Sequence, residues 1–150
     1  MDRTVFCKTL LGTIKVVFNN ENVVGISFEE NVAVDDDFKR CDVVRQLNEY
    51  LDASRLSFDF PWSMNGTPFQ CRVWQELCKI PYGETRTYGD IAKAIGKPGA
   101  SRAVGGACHR NPLLFVIPCH RVVGENGKIT GFAAGVERKR FLLDMERSGK

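Results

Sequence analysis

Strand signals fill the first third of this chain and helix signals fill the rest, and that segregation limits the fold more than any other feature. Residues 4–10, 12–19 and 23–29 are rich in Val, Ile and Phe. They are punctuated by Gly12 and by Asn19-Asn20-Glu21-Asn22, which reads as an antiparallel meander. Phe38, Cys41, Val44, Leu47, Tyr50 and Leu51 then recur at helical spacing. The acidic run Asp35-Asp36-Asp37 ahead of them reads as a solvated loop and helix start, where negative charge suits the helix dipole. Leu56, Phe58 and Phe60 alternate and stop at Pro61, which predicts one more short strand.

A boundary falls near residues 63–66, and charge changes sign there. Residues 1–62 carry seven Lys/Arg against eleven Asp/Glu; residues 63–150 carry fourteen against seven. A basic half suits a polyanionic partner, although uneven charge is common among soluble proteins. Thr67-Pro68-Phe69-Gln70 carries the marks of a helix start: a cap, a proline at the first helical position and a glutamine to close a capping box. Phe69, Val73, Trp74 and Leu77 give that helix an apolar face, and Ile80-Pro81-Tyr82-Gly83 ends it. Thr87 caps a second helix with Ile91, Ala92 and Ile95 on one face; Gly96-Lys97-Pro98-Gly99 breaks it; a third helix is predicted over residues 100–110. Helix, glycine-containing break, helix is the helix-turn-helix pattern, and also that of an ordinary αα-hairpin.

The third helix presents almost no side-chain bulk. Ala103, Val104, Gly105, Gly106 and Ala107 form its middle, and each glycine there costs about 1 kcal/mol relative to alanine. Close packing on another element would compensate. So would close approach to a ligand: the minor groove of DNA is about 6 Å wide, and Arg102 is the one long cation on this surface.

At 43% hydrophobic and 26% charged residues the composition is that of a globular protein. The longest apolar stretch, residues 113–119, is far too short to cross a bilayer. The N-terminus leads into no signal-type apolar core, so a cytoplasmic, membrane-free protein is the expectation. Cys7, Cys41, Cys71, Cys78, Cys108 and Cys119 form no C-x-x-C pair, and His109 and His120 are the only histidines. Reduced thiols rather than a disulfide scaffold or a zinc site are expected.

Ile117-Pro118-Cys119-His120-Arg121-Val122 is the chemically informative segment. A free thiol has a pKa of about 8.5, so only a few per cent is thiolate at neutral pH. A neighbouring imidazole accepts the proton, and Arg121 adds positive charge, which makes Cys119 and His120 a candidate nucleophile and base. A buried inert thiol beside a hydrogen-bonded histidine gives the same dipeptide. On an extended segment the two side chains point to opposite faces, so either the backbone turns or a water relays the proton. A carboxylate behind His120 would fix its tautomer. Spacing does not choose among Glu76, Glu84, Asp90, Glu125, Glu137, Asp144 and Glu146.

The stretch from Gly66 to Glu146 resembles the O6-alkylguanine-DNA alkyltransferases. The matching pieces are Gly66-Thr67-Pro68-Phe69-Gln70, Ile80-Pro81-Tyr82-Gly83-Glu84-Thr85, Thr87-Tyr88-Gly89, Ser101-Arg102-Ala103-Val104-Gly105, Asn111-Pro112, Pro118-Cys119-His120-Arg121, Gly131-Phe132, and Lys139 with Leu142-Leu143 and Glu146. The acidic first third matches only in its strand-rich layout. The resemblance implies an α+β fold. Residues 1–62 would form an N-terminal α/β, ribonuclease-H-like domain, a small antiparallel sheet with a helix. Residues 63–150 would form a mainly helical DNA-binding and alkyltransferase domain with a helix-turn-helix and the active-site Cys. It also implies a stoichiometric reaction without a cofactor. Cys119 takes the alkyl group from guanine O6 in double-stranded DNA after the nucleotide is flipped out. His120 deprotonates Cys119 through a water, Glu146 orients His120, and Asn111 braces the active-site turn.

The resemblance further implies that the small-residue helix enters the minor groove through Ala103, Gly105 and Gly106, with Arg102 filling the vacated stack. Tyr88 would donate to the base and crowd a phosphate, and Tyr88, Val122, Phe132 and Ala133 would form the base pocket. Where relatives often have Tyr, then a small or hydroxyl residue and Gly, this chain has Phe132-Ala133-Ala134. Phe132 offers no hydroxyl, while Ala133 keeps its N–H for guanine O6. Metal ligands that some relatives carry in the N-terminal domain have no evident equivalent. One active site on one chain suggests a monomer. The competing readings are a non-catalytic alkyl-lesion-binding protein of the same fold, in which Cys119 would be replaced; a helix-turn-helix regulator, which would tolerate loss of Cys119; and a cysteine hydrolase, which would turn over and need an oxyanion hole.

Overall fold

A computed structural model describes residues 2–34 and 41–149. The chain divides into two compact units, Met1–Met64 and Asn65–Lys150.

In the first unit β1 (Asp2–Thr9), β2 (Gly12–Asn19) and β3 (Asn22–Phe28) form an antiparallel sheet in the order β1-β2-β3. The β2 alternation does what its sequence asks: Ile14, Val16 and Phe18 are buried while Lys15 and Val17 are half-exposed. A bulge between Val17 and Phe18 lets β3 re-enter register with Val23 inward. Helix α1 (Asp42–Leu51) packs against β1 and buries Val43, Val44, Leu47, Tyr50 and Leu51. Phe38 and Asp35-Asp36-Asp37, expected to lead into this helix, lie outside the described residues.

The strand expected over residues 56–60 does not form. Leu56 is 57% exposed, and the backbone around Asp59 pairs with a side chain instead of a strand. The Gln46 amide accepts from the Asp59 N–H at 2.7 Å and donates to its carbonyl at 3.1 Å. Phe58 packs at a tilt between Phe60 and Tyr50, with ring centroids 5.5 and 5.2 Å away. Only Trp62 bridges to the sheet, in parallel with Val23.

The second unit begins with α2 (Pro68–Leu77), whose capping box is complete: Thr67 accepts from the Gln70 N–H and Gln70 from the Thr67 N–H. Its Trp74 indole donates 2.9 Å to the Ala107 carbonyl, tying α2 to α4 (Ser101–His109). Gly66 has no room for a Cβ, which would sit 2.6 Å from the Trp74 ring. Helix α3 (Tyr88–Ala94) starts at a second capping box, Thr87 with Asp90. It ends at Gly96, whose φ of 78° lets the chain reverse into α4. The short strand β4 (Arg86–Thr87) pairs in parallel with β5 (Val122–Val123). That pairing sets the start of α3 beside the segment that carries Cys119. Helix α5 (Val136–Ser148) closes the unit, with Lys139, Leu142, Leu143 and Glu146 on its buried face.

Candidate active site

The backbone turns at Cys119. Pro118, at φ −80° and ψ 62°, makes an inverse γ-turn closed by the Cys119 N–H on the Ile117 carbonyl at 2.8 Å. Cys119–Arg121 follows as one turn of 3₁₀ helix. Asn111 holds this loop with both ends of its amide. Nδ2 donates to the Ile117 carbonyl at 2.7 Å and to Cys119 Sγ at 3.0 Å, and Oδ1 accepts from the Leu113 N–H at 2.9 Å. Between the two, Phe115 is buried in the left-handed region at φ 72°.

Behind Cys119 lies a dry ionic cluster. His120 is 0% exposed, Glu146 1% and Arg121 8%. Glu146 Oε2 sits 2.8 Å from His120 Nε2 and accepts from Arg121 Nη2 at 2.9 Å; its Oε1 accepts from Arg121 Nε at 2.8 Å and from the Gly83 N–H at 3.2 Å. A third guanidinium nitrogen, Nη1, donates to the Ile80 carbonyl at 2.8 Å. Of the seven carboxylates that spacing left open, Glu146 is the one behind His120. Glu76 and Glu84 pair with Lys79 and Arg86, and Asp90 caps α3. Because an ionised Glu only accepts, the proton of a neutral His120 sits on Nε2 and the basic lone pair on Nδ1.

Burial dominates the electrostatics. It pushes the Cys119 thiol up to about 11, against the Asn111 hydrogen bond and the Lys139 charge, which pull it down. Burial also lowers His120, against the opposing pull of Glu146. The resting pair is therefore a neutral thiol and a neutral imidazole. Arg121, expected to lend charge to the thiol, is engaged by Glu146. The cation whose field reaches Cys119 is Lys139.

Cys119 opens onto a cleft of about 190 Å³ lined by Tyr88, Gly105, Cys108, His109, Gly131, Phe132 and Ala133. This brings together the expected Tyr88, Phe132, Ala133 and Gly105. Val122 is a correction: it is fully buried in β5, paired with Arg86, and does not line the cleft. On α4, Arg102, Ala103 and Gly106 are exposed, and Gly106 has open space where a Cβ would stand. Gly105 lies against the Tyr88 ring, 3.8 Å from where its Cβ would be.

Sequence reasoning missed Cys108, His109, Thr130 and Lys139 as site residues. Lys139 is 1% exposed, and its ammonium lies 3.5 Å from the Tyr88 hydroxyl and 3.4 Å from the Thr130 carbonyl. A signal for it existed: Lys139 shares the i, i+3, i+4, i+7 face of α5 with Leu142, Leu143 and Glu146, so a helix burying its leucines buries its lysine too. Cys108 falls likewise on the Val104/Ala107 face of α4.

Residues 68–148 match the family described as 6-O-methylguanine DNA methyltransferase, DNA binding domain. The chain belongs to this family. The matched segment runs from the start of α2 to the end of α5 and contains the whole of the cleft and the ionic cluster. A methylated-DNA–protein-cysteine methyltransferase of Methanosarcina acetivorans is 57% identical over 104 residues, 69% of this chain and 67% of that relative. An inducible protein of the same name from Bacillus subtilis is 47% identical over 120 residues, 80% of this chain and 67% of that one. Among solved structures, the O6-methylguanine methyltransferase of Mycobacterium tuberculosis matches with a TM-score of 0.88 at 37% identity, covering 100% of this chain and 95% of that one. The structure of the M. tuberculosis protein OGT in complex with DNA matches with a TM-score of 0.86 at 39% identity, over 99% of this chain and 93% of that one.

Proposed function

We infer that this chain repairs double-stranded DNA by moving the alkyl group of O6-alkylguanine irreversibly onto Cys119, once per molecule, as a methylated-DNA–protein-cysteine methyltransferase. The observation that carries the reading is a thiol at the wall of a base-sized cleft, held by Asn111, next to a histidine oriented by a buried Glu. The Cys119 proton passes to His120 Nδ1 through a bridging water. Sγ attacks the alkyl carbon, the carbon–O6 bond breaks, and its electron pair leaves with the guanine. The proton that left the thiol ends on the base, so charge balances and the product is a thioether. No step restores the thiol.

The reacting carbon lies inside the duplex stack, so the nucleotide must be extruded, at a cost of a few kcal/mol. The exposed Arg102, Ala103 and Gly106 face of α4 suits a narrow groove, with Arg102 in the vacated stack and Gly105 and Tyr88 at the cleft entrance. Phe132 walls the base and the Ala133 N–H meets O6. We assign this work to residues 63–150, with residues 1–62 as the N-terminal α/β, ribonuclease-H-like domain. Six free cysteines suit the reducing cytoplasm, and among the described residues no helix is long and apolar enough to cross a membrane.

The test is intact-protein mass after mixing with excess duplex containing O6-methylguanine, with Cys119→Ala alongside. A single methylene added to the wild type alone is the expected result. No mass change with lesion-selective binding would replace the reading with a damage sensor.

A further inference from the structure

The phenol of Tyr88 is held by two groups that the repair reaction as described does not use. The Thr130 hydroxyl lies 3.0 Å from the Tyr88 oxygen, and the Lys139 ammonium lies 3.5 Å from it. The same ammonium lies 3.4 Å from the Thr130 carbonyl, so Thr130 is gripped at its backbone as well. Its methyl group lies over Gly124, where an added Cβ would stand 3.1 Å from Thr130 Cγ2. A β-branched side chain is stiff at χ1, which restricts the direction of its hydroxyl.

An ammonium only donates, and Thr130 can donate as well as accept. If both give a proton to the phenol oxygen, its lone pairs are engaged on the Thr130/Lys139 side. The phenol's own proton must then point elsewhere. Tyr88 lines the cleft, with its ring against Gly105, so that direction is into the cleft.

We propose that Thr130 is a positioning residue: with Lys139 it occupies the acceptor side of the Tyr88 phenol and turns the phenolic proton toward an acceptor atom of the base in the cleft. This rests on the repair reading above. Tyr88 then acts as a preset hydrogen-bond donor to the departing guanine, needing no reorientation when charge develops on the base.

Thr130→Val keeps the β-branched shape and removes the hydroxyl; Thr130→Ser keeps the hydroxyl. Single-turnover methyl transfer at saturating duplex, followed by protein mass, should slow by about 3- to 10-fold in Thr130→Val, the worth of one net hydrogen bond. DNA affinity should be unchanged, Thr130→Ser should restore most of the rate, and Thr130→Val should add nothing in a Tyr88→Phe background.

A second readout is the alkaline ultraviolet titration of Tyr88, isolated by subtracting Tyr88→Phe. The titratable groups around the phenol and its cleft are Lys139, Cys108, Cys119 and His109, all retained in the variant. Losing a donor to the phenol oxygen should raise the pH at which Tyr88 ionises. A Thr130→Val that is as fast as or faster than wild type, that slows equally without Tyr88, or that lowers this pH would overturn the inference, because Tyr88 would then be donating to Thr130. A wild type that transfers no methyl group overturns the repair reading instead.

Discussion

Glu146→Gln should be far more damaging than its size suggests. The carboxylate accepts from four donors, two on each oxygen. An amide of the same shape keeps only one acceptor oxygen. With that oxygen at the Oε1 position, the new NH₂ faces His120 Nε2 and Arg121 Nη2; flipped, it faces Arg121 Nε and the Gly83 N–H. A change of His120 tautomer relieves one clash, but in either orientation one N–H of Arg121 meets another donor. The guanidinium is also left 8% exposed without its counter-charge. Breaking a buried pair by removing one partner costs about 3–5 kcal/mol. At a slope of about 2 kcal/mol per molar urea, the unfolding midpoint should fall by about 2 M. Urea unfolding followed by circular dichroism measures this directly. Adding Arg121→Met to Glu146→Gln should recover part of the loss, since a neutral apolar replacement removes the stranded charge. A loss below about 1 kcal/mol for Glu146→Gln alone would refute the dry, closed cluster described here.

Three further outcomes follow from the same geometry. Arg102→Ala should slow repair of O6-methylguanine in duplex by at least about tenfold, a fraction of the few kcal/mol that extrusion costs, while reaction with free O6-alkylguanine base is spared; parallel mass assays on the two substrates compare them, and equal losses would remove Arg102 from the flipping step. Gly106→Ala meets open space and should raise thermal stability by about 1 kcal/mol through helix propensity, whereas Gly106→Leu should weaken duplex binding in a fluorescence titration if α4 enters a groove. Cys119 ionises late: the wild-type minus Cys119→Ala ultraviolet difference should show no thiolate at pH 7 and a rise centred near pH 11. Because burial raises the folded-state pKa above 9.0, the thiol's contribution to stability is present below that value and is lost as pH climbs through about 11.

Much of this was legible in the sequence where local chemistry decides structure. The Thr67/Gln70 box, the Thr87 cap, the Gly96 reversal and the β1–β3 meander all formed within a residue or two of where turn and cap residues put them. The strand over residues 56–60 failed because its alternation is satisfied by a different partner. Gln46, thirteen positions away on α1, supplies the hydrogen bonds a neighbouring strand would have given, and no local rule anticipates a side chain in that role. The site divides the same way. Cys119 and His120 were legible as a candidate nucleophile and base; spacing alone left seven carboxylates open behind them, and it was the resemblance that singled out Glu146, which lies 2.8 Å from His120. Val122 falls outside the cleft lining because it comes directly after the Cys119–Arg121 3₁₀ turn, already in β5 and paired with Arg86 of β4. Lys139 is part of the resemblance but was not read as a site residue, because a charged residue on an apolar helix face is ordinarily read as a break in the pattern.

The buried thiol also says where the reaction must find its driving force. With Cys119 near 11, the thiolate fraction at pH 7 is about one in ten thousand, against a few per cent for an exposed cysteine. Oxidation and stray alkylation act on the thiolate, so a residue used once is shielded in the resting protein. The same shielding makes activation costly. Moving the proton from a thiol that burial holds high to an imidazole that burial holds low is uphill before any bond to carbon forms. A nucleophile left this unreactive has to be compensated at the other end of the breaking bond, on the guanine that departs. Tyr88 and Ala133 line the cleft, and on the proposed reading their hydroxyl and backbone N–H are the donors to that guanine. Both belong to the cleft wall rather than to the Cys–His–Glu array. The rate should therefore respond to Tyr88 and its supports as strongly as to His120, and reactivity should appear only when a base occupies the cleft.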